Sequence, residues 1–232
     1  MKRRTKRYNE AVSKIEKGKL YTKEEACKLV RETSNNKFDG TIEIAMHLNV
    51  DTKKADQQLR GAINLPNGTG KDKKVLVIAR GENAAKAKAA GADFVGDVDM
   101  LEKIEKENWF GFDVMIATPD MMPLLGKLGK VLGPKGLMPN PKTGTVTTDV
   151  EKAVNEVKAG RVEYRTDTFG NIHGIIGNTN FTEEQLVENL NAFMSVLLKA
   201  KPSTVKGDYI KNISIATTMG PGIKIITNSF DI

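Results

Sequence analysis

The sequence predicts an α+β outer domain with an antiparallel sheet, carrying an inserted α/β domain of the Rossmann-like, doubly wound kind. Three observations predict it. Segments toward both ends of the chain alternate apolar and polar residues, as half-buried antiparallel strands do. The middle holds continuously apolar, strand-sized runs separated by helix-like stretches, as a parallel sheet covered on both faces requires. The alternation resumes only after Gly160, so the two outer stretches flank the middle one. The expected boundaries are 1–67 plus 160–232 for the outer domain and 68–159 for the insert. Insertion is tolerated because domain termini often lie close together.

The elements follow in chain order. Thr22-Lys23-Glu24-Glu25 is a capping box, and Ala26, Leu29 and Val30 continue it as a helix that stops near Asn35-Asn36. From Thr41 to Val50, Ile42, Ile44, Met46, Leu48 and Val50 take one side of a strand. Thr41, Glu43, Ala45, His47 and Asn49 take the other. Arg60 to Leu65 is a second strand, ended by Pro66-Asn67-Gly68. At Lys74 the character changes: Val75 to Ala79 is apolar throughout, the Ala-rich Glu82 to Ala90 is a helix, and Asp93-Phe94-Val95 is a short strand. A helix over Asp99 to Glu107, a buried strand over Asp113 to Ala117 and a helix begun by Pro119 complete the alternation. A last helix of the insert spans Asp149 to Ala159. Beyond Gly160, Arg161 to Arg165 and Asn171 to Ile176 are strands. Phe181 to Leu186 is a second capping box with a hydrophobic staple, followed by the helical stripe Leu186, Leu190, Phe193 and Leu197. Ile210 to Thr217 and Ile223 to Thr227 are strands joined through Met219-Gly220-Pro221-Gly222. Gly68, Gly70 and Gly160 stand where the chain crosses between domains and are the expected hinge.

Charge narrows the function. The chain has 232 residues, 39% of them hydrophobic, and a net charge of +7, so it can build real cores. Residues 1–20 hold Lys2, Arg3, Arg4, Lys6, Arg7, Lys14, Lys17 and Lys19 against Glu10 and Glu16, which accounts for nearly all of that excess. A basic N-terminal arm on an otherwise balanced body points to a polyanion. No apolar run follows the arm as a targeting signal would need, and no stretch approaches the ~20 apolar residues that span a bilayer. Cys27 is the only cysteine, which excludes an intrachain disulfide and fits a reducing, cytoplasmic compartment.

Reaction chemistry finds no residues to stand on. His47 and His173 come with no partners at metal-ligand spacing, so no metal is expected. Gly68-Thr69-Gly70-Lys71 lacks the first glycine of a phosphate loop, having Leu65 there, and the magnesium-binding hydroxyl, having Asp72 there. One glycine follows the Val75 to Ala79 strand where a dinucleotide fold needs a spaced set. No catalytic residue and no cofactor is predicted. The alternative is a small-molecule-binding enzyme using the inserted α/β domain.

Four segments could hold an anion. Leu124 to Thr145 has no acid, repeated Gly and Pro, and recurring Lys; it can offer N–H groups and ammonium heads, or be a plain exposed loop. Lys37-Phe38-Asp39-Gly40-Thr41 sets an aromatic beside a lysine before a strand; Phe38 either stacks on a base or fills the core edge. Thr217-Thr218-Met219-Gly220-Pro221-Gly222 is a hydroxyl-bearing turn that can lie flat on a sugar-phosphate surface, or simply a hairpin turn. Arg165 to Gly170 is a third polar turn. If the outer sheet closes, these last three turns meet on one rim, suited to reading RNA shape through 2′-hydroxyls and phosphates.

The run Leu132 to Thr145, the Lys37-Phe38-Asp39 turn and Thr217-Thr218-Met219-Gly220-Pro221 together resemble the bacterial ribosomal protein L-one family, the stalk proteins of the large ribosomal subunit. The resemblance runs the length of the chain. It implies two hinged domains with the second inserted in the first. It implies that the first domain binds large-subunit ribosomal RNA and forms the mobile stalk near the exit site. Contact with exit-site tRNA, release of deacylated tRNA and repression of the protein's own operon messenger RNA are implied as well. The RNA contacts carried over are Lys37, Phe38, Thr41, Asp167, Thr217, Thr218, Met219 and Gly220, with Phe169 standing where a polar residue is expected. Arg3, Arg4, Lys6 and Arg7 form a secondary basic arm. The expectation is a cytoplasmic protein on the large subunit, monomeric when free, with no membrane partner.

Overall fold

A computed structural model describes residues 4–230, and the chain forms two compact units. The first unit runs to Gly70 and resumes at Val162; the second is Lys71–Arg161. The changes of unit therefore fall at Gly70 and Val162, a few residues beyond Asn67 and Gly160.

The first unit begins with α1 (Lys6–Ser13) and α2 (Lys23–Glu32). The N-terminal arm is thus partly helical: the Thr5 hydroxyl accepts from the Tyr8 N–H, and Ala11 is buried. Thr22 and Glu25 close the capping box of α2 reciprocally. Strands β1 (Thr41–Leu48) and β2 (Arg60–Asn64) follow.

In the second unit, β3 (Val75–Ile78), α3 (Glu82–Ala89), β4 (Phe94–Gly96), α4 (Val98–Glu107), β5 (Val114–Ala117), α5 (Met122–Lys127), α6 (Gly129–Leu132) and α7 (Val150–Lys158) succeed one another. The strands form a parallel sheet in the order β4-β3-β5. Val146 adds a parallel bridge beside Ala117. The side chains of β3 divide between two cores, because successive strand residues point to opposite faces. Leu76 and Ile78 join Leu101, Ile104, Met121, Leu125 and Leu132; Val75 and Val77 join Ala87, Val150, Val154 and Val157. Every residue of β3 is therefore fully buried. Trp109 packs edge-on against Phe94 with ring centroids 4.9 Å apart.

Back in the first unit, β6 (Arg161–Arg165) pairs with β2 as a separate two-stranded sheet. Then come β7 (Asn171–Asn178), α8 (Glu183–Lys199), β8 (Ile210–Thr217) and β9 (Ile223–Ile225). The main sheet is antiparallel in the order β7-β1-β8-β9. One face is covered: Ala26, Cys27 and Val30 of α2 and Leu186, Leu190, Phe193 and Leu197 of α8 share a core with Ile42, Ile44, Met46, Ile213 and Ile215. The opposite face, reached by the alternate residues of the same strands, carries no helix core among the described residues. No helix among the described residues is long and apolar enough to cross a membrane.

Candidate nucleic-acid interface

The uncovered face of the antiparallel sheet is built from rows set by strand register. Glu43 lies opposite Ile175 and Ala216; Ala45 lies opposite His173 and Ser214, and Ser214 opposite Lys224; His47 lies opposite Asn171 and Asn212. None of these residues is buried. The side chains of this face are small, polar or titratable except Ile175, which is half-buried.

At the Thr41 end of this face two turns converge. The Thr218 N–H donates to the Thr41 carbonyl at 2.9 Å, and the Thr41 N–H donates to the Thr218 hydroxyl at 3.2 Å. Asn36 Nδ2 donates to the Thr218 carbonyl at 2.7 Å, which anchors the Lys37–Phe38 loop to the same turn. Gly40 exchanges hydrogen bonds with Thr179 across its base. With both loops fastened, Phe38 is 54% exposed and Met219 71% exposed. Met219 also holds a left-handed φ of 66°, one of two such non-glycine residues described. A bulky residue in that region costs about 1–3 kcal/mol and persists where its surroundings enforce it, as functional turns do. The enforcing contact is the Gly220 N–H donating to the Thr217 carbonyl at 2.8 Å. Gly220 has no substitute here, because a Cβ would fall 2.2 Å from the Thr217 Oγ1.

Thr217 differs from its neighbours. It lies in the core register of β8 and its hydroxyl is buried with no hydrogen-bond partner. Leaving a buried hydroxyl without a protein partner costs about 1–3 kcal/mol unless ordered water pairs with it. Thr41 is also buried.

The Asp167 turn is not part of this rim, and the expectation that three turns meet at one end is corrected. Antiparallel pairing places Asn178 beside Thr41 and Asn171 beside His47, so the turn that leads into β7 sits at the Leu48 end. The Leu48 N–H donates to the Gly170 carbonyl there. Along β1 the two ends are about 20 Å apart at ~3.4 Å per residue. Asp167 Oδ1 accepts from the Phe169 and Asn171 backbone N–H groups, and Oδ2 accepts from Asn171 Nδ2. The Asn171 bonds, with the Phe169 N–H and nearby His173, hold its carboxyl below the ordinary carboxylate range. Phe169, at the tip of this turn, is 76% exposed. Three of the five exposed large hydrophobic residues thus stand at the two ends of one sheet face.

The basic arm reaches the Thr41 end. Arg7 and Tyr8 line one small cleft with Asn35, Asn36, Met219 and Gly220. Arg4 stacks over the Tyr8 ring at 4.6 Å, and Arg4, Lys6 and Arg7 are exposed. Arg3 lies outside the described residues. Asn36 and Tyr8 escaped the sequence reading; the signal for Tyr8 was its i, i+3, i+4 spacing to Ala11 and Val12.

The Gly, Pro and Lys run of the second unit is not an open nest of N–H groups. Leu132, Gly133, Gly136, Leu137, Thr143, Gly144 and Thr145 donate their N–H groups to backbone carbonyls of the run itself. Asn140 closes a tight turn with the Thr143 and Thr145 hydroxyls. Lys127, Lys130, Lys135 and Lys142 remain outside, Lys135 over the Phe110 ring at 4.2 Å. The phosphate clamp required by the enzyme alternative therefore has no free backbone donors at these positions. Gly68, Gly70 and Gly160 all hold positive φ, at 67°, 73° and 103°. No cluster of three His, Cys, Asp or Glu suited to a metal occurs among the described residues.

The comparison with known families makes the chain a ribosomal protein that binds ribosomal RNA. More particularly, the model of the Ribosomal protein L1p/L10e family matches residues 30–221, most of the chain, and the chain belongs to that family. It is a family of structural ribosomal proteins that bind large-subunit ribosomal RNA.

Proposed function

We propose that large-subunit ribosomal RNA lies along the uncovered face of the first unit, from the Phe38–Met219 end to the Asp167–Phe169 end. The observation that carries this is the fastening of two distant loops, through Thr41, Thr218 and Asn36, so that Phe38 and Met219 stand out together. Exposed aromatics give about 1–3 kcal/mol for each base they stack on, and burying Met219 adds apolar area. Lys37 and the Thr41 and Thr218 hydroxyls supply polar contacts, with Thr217 shaping the turn from its buried side and Gly220 allowing close backbone approach. Glu43 repels phosphate, so the face meets ribose hydroxyls and base edges while Arg4, Lys6 and Arg7 take phosphates.

The second unit, read as an inserted doubly wound domain, swings about Gly68, Gly70 and Gly160. On this reading the protein is monomeric when free and joins the large subunit in the cytoplasm. There it forms the stalk near the exit site, helps release deacylated tRNA and represses its own operon messenger RNA through a similar RNA fold. All three glycines stand within a few residues of the two changes of unit, which supports the hinge.

The test is binding of large-subunit ribosomal RNA by Thr218→Val and Met219→Ala. Each weakens affinity about tenfold or more while circular dichroism stays native. Unchanged affinity in both removes the proposed face.

A further inference from the structure

We propose that His47 contacts RNA through Nε2, held as a hydrogen-bond acceptor for a ribose 2′-hydroxyl by a relay from Asp167 through Asn171. The inference rests on the reading that the uncovered face binds RNA. It makes Asp167 a positioning residue that acts through others.

Asp167 is a carboxylate, and a carboxylate only accepts. Its Oδ2 lies 2.9 Å from Asn171 Nδ2, so the amide nitrogen of Asn171 faces Asp167. The backbone N–H groups of Phe169 and Asn171, both 2.8 Å from Oδ1, fix the carboxylate in place. The low carboxyl pKa agrees with that ionised state. The other end of the same amide, Asn171 Oδ1, lies 2.8 Å from His47 Nδ1. An amide oxygen cannot donate, so the proton of a neutral imidazole sits on Nδ1. Nε2 is left with its lone pair. It makes no hydrogen bond among the described residues, and unlike the Thr217 hydroxyl it is not a buried orphan.

That lone pair sits on a half-buried side chain of the open face, opposite Asn171 and Asn212. The charged or titratable groups around it are Asp167 through Asn171, His173 farther along β7, and Lys211 beside Asn212 on β8. A bare acceptor on such a surface rejects phosphate oxygens, which are acceptors themselves. It pairs with a donor; base amino groups are common to RNA and DNA, and the donor that RNA carries and DNA lacks, displayed along the backbone, is the 2′-hydroxyl. The expected consequence is a preference for RNA over DNA located at this end of the sheet.

The chain has two histidines, so His173→Gln leaves His47 as the only imidazole for nitrogen NMR. With the ring neutral, the free protein shows the Nδ1–H tautomer. Asp167→Asn presents an amide N–H to Asn171, turns that side chain over and moves the imidazole proton to Nε2. In binding to large-subunit ribosomal RNA at fixed salt, His47→Phe loses about 3- to 10-fold, the worth of one hydrogen bond. Asp167→Asn loses a similar factor, and adding it to His47→Phe costs nothing more, because both break one relay.

An Nε2–H tautomer in the parent overturns the proposal, and that readout needs no change at position 47. Additive losses in the double variant overturn the positioning role of Asp167. Native affinity of His47→Phe, with Thr218→Val and Met219→Ala weakened, overturns this inference and leaves the RNA face standing. Native affinity in all three overturns the face itself.

Discussion

The two sheets of this protein differ in what covers them. In the parallel sheet of the second unit, both sets of alternate side chains enter helix-backed cores, and β3 shows nothing to solvent. In the antiparallel sheet of the first unit only one set does; the other remains as rows of Ala, Ser, Asn, His, Glu and Lys with the half-buried Ile175 among them. A strand covered twice is spent on stability. A strand covered once keeps a face of fixed spacing on which a partner can be read, with loops at its ends to grip it.

Stability variants break this comparison most strongly if it is wrong. Leu76→Ala in β3 costs about 2–5 kcal/mol in urea denaturation, the range for a leucine truncated in a tight core. Ser214→Ala on the open face changes stability by no more than about 0.5 kcal/mol. Equal costs would mean that the open face is packed after all. Recognition variants come next. Phe38→Ala and Phe169→Ala, at opposite ends of the face, each lose about 1–3 kcal/mol of ribosomal RNA binding by filter titration. A loss confined to Phe38 would shorten the surface to the Thr41 end.

The sequence legibility of the two ends differs for a physical reason. Alternation in β1 identified the buried face, because side-chain direction is a local, period-two property. The convergence of Phe38 with Met219 was also readable, since each adjoins a strand end in the chain. The position of Asp167 was not: which end of β1 receives it depends on the direction of β7 and on β6 leaving to pair with β2. Such pairing is decided by contacts far apart in sequence. The relay from Asp167 to His47 was likewise invisible, because Asn171 and His47 meet only through register. In the second unit, Gly and Pro in the 126–144 run correctly argued against long regular elements. Their hydrogen bonds turned inward because Asn140, Thr143 and Thr145 fold the loop on itself.

Smaller effects sharpen the electrostatic side. Affinity falls with salt in proportion to phosphates neutralised, and Arg7→Ala lowers the slope of log K against log salt by about 0.7–0.9. Lys130→Ala in the second unit leaves the slope for this RNA unchanged. The smallest effect is set by acid. The Asp167 carboxyl has a lowered pKa in the folded chain, so its contribution is complete above the ordinary carboxylate value. It fades as pH falls through the lower folded value. The Asn171 side-chain amide signals therefore persist through the ordinary carboxylate range and change only in more acidic solution, and their loss within that range would show the turn to be looser.

The single cysteine and the single tryptophan fall in different units, Cys27 in the core under the open sheet and Trp109 against Phe94. Burial pushes the Cys27 thiol up to about 12, so it stays silent to thiol reagents until its own unit opens. Nature has thus wired one optical and one chemical gauge into separate halves of the chain. Emission from the indole and labelling of the thiol, followed during one denaturation, tell whether the halves melt together or in turn, with no engineered probe.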